Sequence, residues 1–378
     1  MTSVKEFLVE EPATAESVGR GRFVFTDDYS VFDWGAMPDA IPRKGASLCA
    51  MGAANFERLE AAGVATHYRG VVTPDAGTPR PLAAVSEPPR EMAIDLVASP
   101  QLPFVGSGAN DPSDASDGSE AASGESNDPA GESGDDSDGP GVVNGYDYGA
   151  YYEEVGNNYL VPLEIVFRNW VPVGSSLRGR REPSEVGLDG GEWPEEAVEL
   201  PEPVIEFSTK FEEQDRYLTR GAADRIAGPA AVTRLEEVAR EVNELVTERA
   251  DRAGLVHEDG KIECYYANGD VGVADVVGTL DENRFAYDGQ ELSKEVVRQY
   301  YKREHPSWVE SVNRAKERAA REDVADWRSL CDHTPPALPD HVVDVVSDAY
   351  AAAANAYLDR ALFDAPPLAD AVAAVREL

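Results

Sequence analysis

Residues 261–275 read KIECYYANGDVGVAD, with an Asn268-Gly269 pair between two runs typical of β-strands. An Asn-Gly pair in that setting is a strong short-range signal for a β-hairpin turn. The stretch therefore predicts two antiparallel strands. Lys261 and Glu263 stand two residues apart on the first strand, so their side chains project from the same face of the sheet.

The geometry of this turn decides whether Asp275 joins them. A strict two-residue turn pairs Ile262 with Asp275 and puts the carboxylates of Glu263 and Asp275 on opposite faces. A three-residue turn with a bulge pairs Glu263 with Asp275 and brings the carboxylates together. Converged carboxylates beside a lysine are suited to Mg²⁺. The hairpin taken alone is better explained as an exposed hairpin with cross-strand charges.

Around the hairpin, the sequence predicts strands that alternate with helices. Strand patterns cover residues 22–25, 91–97, 159–167 and 204–207, and helical patterns cover 48–62, 222–253 with a break at Gly228-Pro229, 293–302, 307–326, 339–357 and 368–378. Pro162 is expected to limit the hydrogen bonds of its strand. We therefore expect an α+β protein of two lobes, a small antiparallel β lobe at the N-terminus and a larger α/β lobe, with a cleft between them.

Composition divides the chain into three parts, residues 1–104, 105–141 and 142–378. From Gly106 to Gly141, Asp, Ser, Gly, Glu and Pro dominate, and there is no lysine or arginine. Such a segment buries too little apolar surface to offset the entropy of ordering, so it is predicted to be a disordered acidic insertion. An acidic interaction segment is the alternative, and a solvated loop is favoured over it.

The net charge of the 378 residues is −37, from 34 basic and 71 acidic residues. The negative electrostatic field of such a chain repels phosphate groups, so nucleic acid and anionic membranes are not expected as partners. The excess of acid suggests adaptation to a high-salt cytosol, and an ordinary acidic protein is the alternative. Three widely spaced cysteines and the lack of a long apolar run predict a soluble, cytoplasmic protein with reduced thiols.

Lysine is scarce, and several of the seven lysines lie in motifs that suit phosphate binding. Arg168 closes an apolar strand, and Gly174-Ser175-Ser176 follows with amides and hydroxyls that could cradle a phosphate beside the guanidinium. Ser208-Thr209-Lys210 ends a later strand with two hydroxyls and an ammonium. Each motif alone is equally well explained as a capped strand end, but the combination favours a function.

These motifs occur in the order of a known family. They are residues 161–169, Gly174-Ser175, Ser208-Thr209-Lys210, Lys261, Glu263, Asp275, Asp281, Asn283-Arg284-Phe285, Ser293-Lys294 and Arg298. Upstream, residues 29–33 and 41–45 resemble two further elements of the same family. From about Gly19 to Arg298, excluding the insertion, the chain resembles the phosphoribosylaminoimidazole-succinocarboxamide synthase (SAICAR synthetase) family of purine biosynthesis.

The resemblance implies an ATP-dependent carbon–nitrogen ligase. Such an enzyme joins 5-amino-1-(5-phosphoribosyl)imidazole-4-carboxylate to L-aspartate and releases ADP and phosphate, through an acyl phosphate. It implies ATP and Mg²⁺ as cofactors, with ATP in the cleft between the lobes. The N-terminal part would then be the nucleotide-binding lobe, and residues 142–378 the substrate- and metal-binding lobe with C-terminal helices. The sequence leaves the oligomeric state open, a homo-oligomer included.

The resemblance also assigns roles by position. ATP binding falls to Arg20, Arg22, Leu160 and Lys261; metal binding to Glu263 and Asp275; catalysis to Lys261 and Lys210; and substrate binding to Arg168, Ser175, Ser176, Thr209, Asp215, Asp281, Arg284 and Lys294. Arg20 and Arg22 stand where the family usually has lysine, so their assignment depends on charge alone. The segment from Arg168 to Ser175 is one residue longer than expected, so either serine could meet the phosphate.

Two other functions fit the same residues. A small-molecule kinase would also use phosphate-binding lysines and paired metal carboxylates. A catalytically silent nucleotide-binding relative is disfavoured because Lys261, Glu263, Asp275 and Arg284 are all present.

Overall fold

The structure, a computed structural model, describes residues 5–75, 77–106, 141–212, 215–322, 324 and 326–378. Its strands are β1 (Lys5–Glu11), β2 (Gly19–Phe25), β3 (Tyr68–Val72), β4 (Glu91–Leu96), β5 (Val142–Val143), β6 (Tyr146–Asp147), β7 (Asn158–Val171), β8 (Val198–Thr209), β9 (Tyr217–Leu218), β10 (Val256–Ala267), β11 (Asp270–Ala274), β12 (Asn283–Tyr287) and β13 (Gln290–Glu291). Its α-helices are α1 (Lys44–Ala61), α2 (Tyr148–Val155), α3 (Arg220–Ala227), α4 (Val232–Arg252), α5 (Glu295–Glu304), α6 (Pro306–Glu322), α7 (Asp340–Leu358) and α8 (Leu368–Arg376).

Two large antiparallel sheets organise most of these elements, and β5 and β6 form a separate two-stranded sheet; the arrangement confirms the α+β class and the two lobes. The N-terminal sheet has the order β1-β2-β4-β3. The larger sheet has the order β13-β12-β10-β7-β8-β9, and β11 pairs with β10 as the second arm of the hairpin. Isolated bridges from Thr66 to Val273 and from Ala98 to Tyr159 join the two sheets.

Helix α1 connects the two lobes through their shared core. Its residues Cys49, Met51 and Phe56 are fully buried, and it packs against β2, β3 and β4 on one side and against α4 and α7 on the other. One continuous hydrophobic cluster therefore runs through both sheets. A smaller cluster around Val171 and Leu200 packs at the far end of β7 and β8.

Strand β7 is the centre of the larger sheet, because it pairs with β10 on one side and β8 on the other. Its apolar run is buried almost throughout, as expected for a strand that is covered on both faces. At Pro162 the pairing with β10 shifts, since Leu160 pairs with Tyr265 while Glu164 pairs with Glu263. The proline thus lies in a bulge, which agrees with the expectation that it interrupts the ladder.

The helical predictions agree with the structure to within a few residues. The break at Gly228-Pro229 separates α3 from α4 as predicted, and α1 begins four residues before the predicted start at Leu48. Strand β8 is longer than the predicted 204–207, beginning at Val198. Residues 107–140 of the predicted insertion lie outside the described residues, and the three-part division of the chain stays a prediction. None of the described helices is both long and apolar enough to span a membrane.

Candidate active site

Three neighbouring strands bring carboxylates and lysines to one face of the larger sheet. Glu263 on β10 lies directly opposite Glu164 on β7, and Glu164 lies opposite Ser208 on β8. Lys210 follows the end of β8. Lys261 Nζ lies 2.8 Å from Glu164 Oε1, and Lys210 Nζ lies 3.9 Å from the same oxygen. The two predicted catalytic lysines therefore meet at Glu164, a buried residue for which no role was predicted.

Lys210 also contacts the carboxylate of Glu263, one of the two predicted metal ligands. Burial and then the charge of Asp275 raise the pKa of Glu263, Lys210 lowers it, and the net result is about 7. For Lys261, burial disfavours the charged ammonium, but Glu282 and Glu164 outweigh it and raise its pKa above the usual range. The carboxylates around Lys261 therefore favour its charged form, and Lys210 forms ion pairs with Glu263 and Glu164.

The hairpin has the strict two-residue turn, since Ala267 pairs with Asp270 and Glu263 pairs with Ala274. Asn268 and Gly269 both have positive φ, 53° and 101°, as a type I′ turn requires. A regular strand would then carry Asp275 to the face opposite Glu263. The bulged turn that would have paired the two carboxylates does not form.

Asp275 nevertheless reaches Glu263 by another route. Strand β11 ends at Ala274, and Asp275 has φ of 59°, in the left-handed region that aspartate tolerates better than most residues. The chain thereby leaves the alternation of the strand, and the two carboxylates share Lys5 and Lys210 as charged neighbours. Burial disfavours ionisation of Asp275, but the Lys5 ammonium outweighs it and holds the pKa of Asp275 below its usual range.

Lys5 was not predicted as a site residue. It lies on β1, its ammonium contacts Asp275, and Nζ lies 4.7 Å from the centre of the Phe23 ring. Glu282 and Glu263 also contribute to its charged environment. The only sequence signal for it was the scarcity of lysine, because no recognisable motif surrounds position 5.

A second charged cluster contains Arg168. This side chain is 4% exposed; Nε donates to Glu206 Oε2 and Nη1 to Asp259 Oδ2, both at 3.0 Å, and Nη2 donates to the Tyr217 hydroxyl at 3.0 Å. Arg284 donates from Nε to Asp259 Oδ1 at 2.8 Å. The structure thus brings the predicted phosphate-binding arginines together on Asp259, and Arg168 is held there by three partners.

Arg180 completes this cluster and was missed by the sequence analysis. Its two terminal nitrogens donate to Glu206 at 2.6 Å and 3.1 Å, and its guanidinium stacks 3.5 Å from the Tyr217 ring centre. Ser175 is buried and its hydroxyl accepts from the Leu177 amide at 3.4 Å, as a cap of a short 3₁₀ turn, while Ser176 is exposed. Their predicted contact with a phosphate stays a prediction.

Asp281 lies in a third cluster, in the interior. Lys44 Nζ lies 2.6 Å from its Oδ2, and the Tyr350 hydroxyl donates to its Oδ1 at 2.7 Å. Burial disfavours ionisation of Asp281, but Lys44 and then Lys294 outweigh it and hold its pKa below the usual range. Lys294 therefore lies near Asp281, as the predicted substrate contacts require, and Lys44 and Tyr350 are partners that the sequence did not indicate.

The remaining predicted residues lie in different surroundings. Thr209 is fully buried and its hydroxyl accepts from the Arg216 amide at 3.1 Å. Burial raises the pKa of Asp215, and repulsion from Glu164 raises it further, which places Asp215 near the first cluster. Leu160 is half-buried on β7.

The structure does not bring Arg20 and Arg22 to the carboxylates of the first cluster. Residues of β2 alternate between faces, so Phe23 lies on the face that Lys5 contacts, whereas both arginines lie on the other face. Arg20 is exposed, and Arg22 forms ion pairs with Glu10 and Glu91. Their predicted contact with ATP phosphates stays a prediction that this geometry does not favour.

Comparison with known proteins identifies the family. The sequence matches the family described as SAICAR synthetase over residues 14–94 and 154–315. A relative from Archaeoglobus fulgidus, provisionally assigned as a phosphoribosylaminoimidazole-succinocarboxamide synthase, is 37% identical over 100% of this chain and 99% of its own length. The phosphoribosylaminoimidazole-succinocarboxamide synthase of Thermoplasma volcanium is 28% identical over 87% of this chain and 89% of its own.

A solved structure shares the fold. SAICAR synthase from Saccharomyces cerevisiae, in a complex with SAICAR, aligns over 95% of this chain and 93% of its own with a TM-score of 0.56 and 18% identity. The likeness at this identity concerns the fold, whereas the sequence matches over most of the chain concern the family. The chain belongs to the SAICAR synthetase family.

Proposed function

We propose that the chain is an ATP-dependent ligase of purine biosynthesis. It condenses 5-amino-1-(5-phosphoribosyl)imidazole-4-carboxylate with L-aspartate and forms the succinocarboxamide, ADP and phosphate. Family membership over nearly the full length of a relative supports this reaction. The observation that carries it is the meeting of Lys210 and Lys261 at Glu164, beside the carboxylates of Glu263 and Asp275.

The chemistry explains why cations are concentrated here in so acidic a protein. A carboxylate is a poor acyl donor, so an oxygen of the substrate carboxylate first attacks the γ-phosphorus of ATP, which gives an acyl phosphate and releases ADP. The amine of aspartate then attacks the carbonyl carbon, phosphate leaves with the bridging oxygen, and the amine loses its proton. Lys210 and Lys261 would stabilise the negative charge that develops on phosphoryl oxygens during both steps.

Glu263 and Asp275 are the residues that would hold magnesium. Their oxygen donors suit Mg²⁺, which proteins usually bind through one or two carboxylates together with substrate phosphates and water. Magnesium held there would neutralise the negative charge of the nucleotide phosphates. The described residues contain no cluster of three or more potential ligands, so the pair fits a metal that binds together with a nucleotide.

The arginine cluster would bind the phosphate of the ribonucleotide. The guanidinium groups of Arg168, Arg180 and Arg284 gather around the carboxylates of Glu206 and Asp259, and guanidinium groups are suited to bidentate binding of phosphate oxygens. Arg284, whose side chain is 27% exposed, would make the more direct contact.

The net charge of −37 supports a cytoplasmic enzyme adapted to high salt.

The route through an acyl phosphate can be tested with isotope-labelled substrate. The imidazole carboxylate ribonucleotide, labelled with ¹⁸O in both carboxylate oxygens, is incubated with ATP, magnesium and L-aspartate. The proposed reaction transfers one labelled oxygen into each phosphate released, which mass spectrometry detects. Unlabelled phosphate, formed together with the succinocarboxamide, would exclude the acyl phosphate.

A further inference from the structure

Lys5 is held by an unusual strand. β1 lies at the edge of the N-terminal sheet and pairs there with β2. Its other residues are all exposed, including Phe7, Leu8 and Val9, whereas the Lys5 side chain is 11% exposed. The pairing with β2 also becomes irregular between Val9 and Glu11. The strand therefore presents one buried group, an ammonium, to the rest of the protein.

The Lys5 ammonium contacts Asp275, one of the two carboxylates that would bind the metal. Lys5 contacts Asp275 as Lys210 contacts Glu263, so each of the two carboxylates has its own lysine. A divalent cation that binds both carboxylates would compete with these contacts. Lys210 has Glu164 as a second carboxylate at 3.9 Å, whereas Lys5 would lose its direct contact with Asp275 and keep only the more distant charges of Glu282 and Glu263 among the described residues. A buried ammonium that loses its direct hydrogen-bonded carboxylate is unfavourable.

We propose that Lys5 is a specificity-determining residue that prevents free divalent cations from binding Glu263 and Asp275, so that the metal binds with its nucleotide. This inference rests on the proposed function, which assigns the metal to these carboxylates. In the absence of nucleotide, the ammonium neutralises Asp275. When a metal–nucleotide complex binds, the phosphates supply a new anionic partner for Lys5, and the lysine moves from Asp275 to a phosphate oxygen.

The environment of Lys5 permits this movement. A lysine carries its charge on a flexible stem with three donors, so it can exchange one oxygen partner for another. An edge strand with exposed side chains resists displacement less than a buried strand does. The alternation of β2 also explains why Lys5 is needed, since Arg20 and Arg22 lie on the opposite face and cannot serve Asp275.

Opposite effects on free metal and on metal–nucleotide make the proposal testable. In Lys5→Met, Asp275 loses its competing cation, so we expect Mn²⁺ alone to bind about tenfold more tightly, or more. The same change removes a phosphate contact, so we expect Mg-ADP to bind about tenfold more weakly. Lys5→Arg keeps the positive charge and is expected to bind both with affinities close to those of the unchanged protein.

The experiment measures Mn²⁺ binding by electron paramagnetic resonance of the free ion and Mg-ADP binding by calorimetry, on the full chain at constant ionic strength. Lys302→Met is the matched control, because it removes the same charge from an exposed lysine 3.5 Å from Glu295. Thermal unfolding checks that each variant is folded, and Lys5→Gln replaces Lys5→Met if the latter is not.

Tighter Mn²⁺ with weaker Mg-ADP in Lys5→Met, and no change in Lys302→Met, would support the proposal. Mn²⁺ affinity that is unchanged or reduced in Lys5→Met would overturn it, and so would Mg-ADP affinity that is unchanged or increased. Both readouts are independent of turnover. If Lys5→Met binds Mn²⁺ more tightly but the unchanged protein has no ligase activity, only the proposed function is refuted. If the unchanged protein is a ligase but Lys5→Met does not bind Mn²⁺ more tightly, only the role of Lys5 is refuted.

Discussion

The ammonium nitrogen of Lys44 lies 2.6 Å from Oδ2 of Asp281, in a buried ion pair whose side chains are 1% and 6% exposed. The pair joins the start of α1 to the segment between β11 and β12, and Tyr350 of α7 binds the other oxygen of Asp281. Three distant parts of the chain therefore meet at one carboxylate. Because both side chains are buried, water cannot solvate either charge when the other is removed.

Lys44→Met is expected to destabilise the fold strongly, because it leaves the Asp281 charge buried without its cation. The free energy of unfolding should fall by about 3–5 kcal/mol, measured by urea denaturation. Lys302→Met, which removes an exposed lysine, should change it by less than about 1 kcal/mol. Equal effects of the two substitutions would mean that the Lys44–Asp281 pair does not stabilise the fold.

Asp275→Asn should abolish turnover and leave the fold intact. The amide has the shape of the carboxylate but lacks the charge that metal binding requires. Steady-state assays of ADP release test the first part, and circular dichroism tests the second. A rate near that of the unchanged enzyme would refute the metal assignment of Asp275.

Arg168 and Arg284 should differ in what their loss affects. Arg168 is bound by Glu206, Asp259 and Tyr217, so Arg168→Lys should mainly reduce stability, by about 1.5–3 kcal/mol for each charge-assisted hydrogen bond that lysine cannot replace. Arg284 is more exposed, so Arg284→Lys should mainly raise the KM for the ribonucleotide, by about tenfold. Denaturation curves and KM values measured on both variants separate the two effects. A raised KM in Arg168→Lys together with reduced stability in Arg284→Lys would mean that the two roles are exchanged.

Glu291 should make stability depend on pH. Burial and then the neighbouring Glu258 together raise its pKa to about 8. Because the folded pKa is above the unfolded value of about 4.3, the stabilisation is complete below that value and is lost as the pH rises through 8. Glu291→Gln stays neutral, so its stability relative to the unchanged protein should increase between pH 6 and pH 9. Urea denaturation of both proteins measures this difference in the free energy of unfolding. The same difference at pH 6 and at pH 9 would contradict the prediction.

Local sequence patterns predicted the elements of the fold well. The Asn268-Gly269 turn, the buried strand at 159–167 and the break at Gly228-Pro229 depend on neighbouring residues alone, so their signals are present in short windows. The two-lobe α+β architecture followed from the order of these elements and from the family resemblance. The family itself could be identified because charged motifs keep their order along the chain.

The partners of the charged residues could not be predicted in the same way. Lys5 and Asp275 are 270 positions apart, and Lys44 and Asp281 are 237 apart, so only the folded chain shows that they meet. The convergence of Glu263 and Asp275 depends on a left-handed backbone conformation at Asp275, which a non-glycine residue seldom adopts and no turn rule indicates. Arg22 shows the reverse case, because its charge suggested a phosphate while Glu10 and Glu91 bind it.

If the clusters at Lys210 and Arg168 serve one ligase reaction, ADP release must depend on both substrates, and it can be measured with and without each of them. We expect sustained ADP release only when L-aspartate and the imidazole carboxylate ribonucleotide are both present with Mg-ATP, with one succinocarboxamide formed per ADP. Sustained ADP release without L-aspartate, accompanied by a stable phosphorylated acceptor, would contradict it and indicate a kinase.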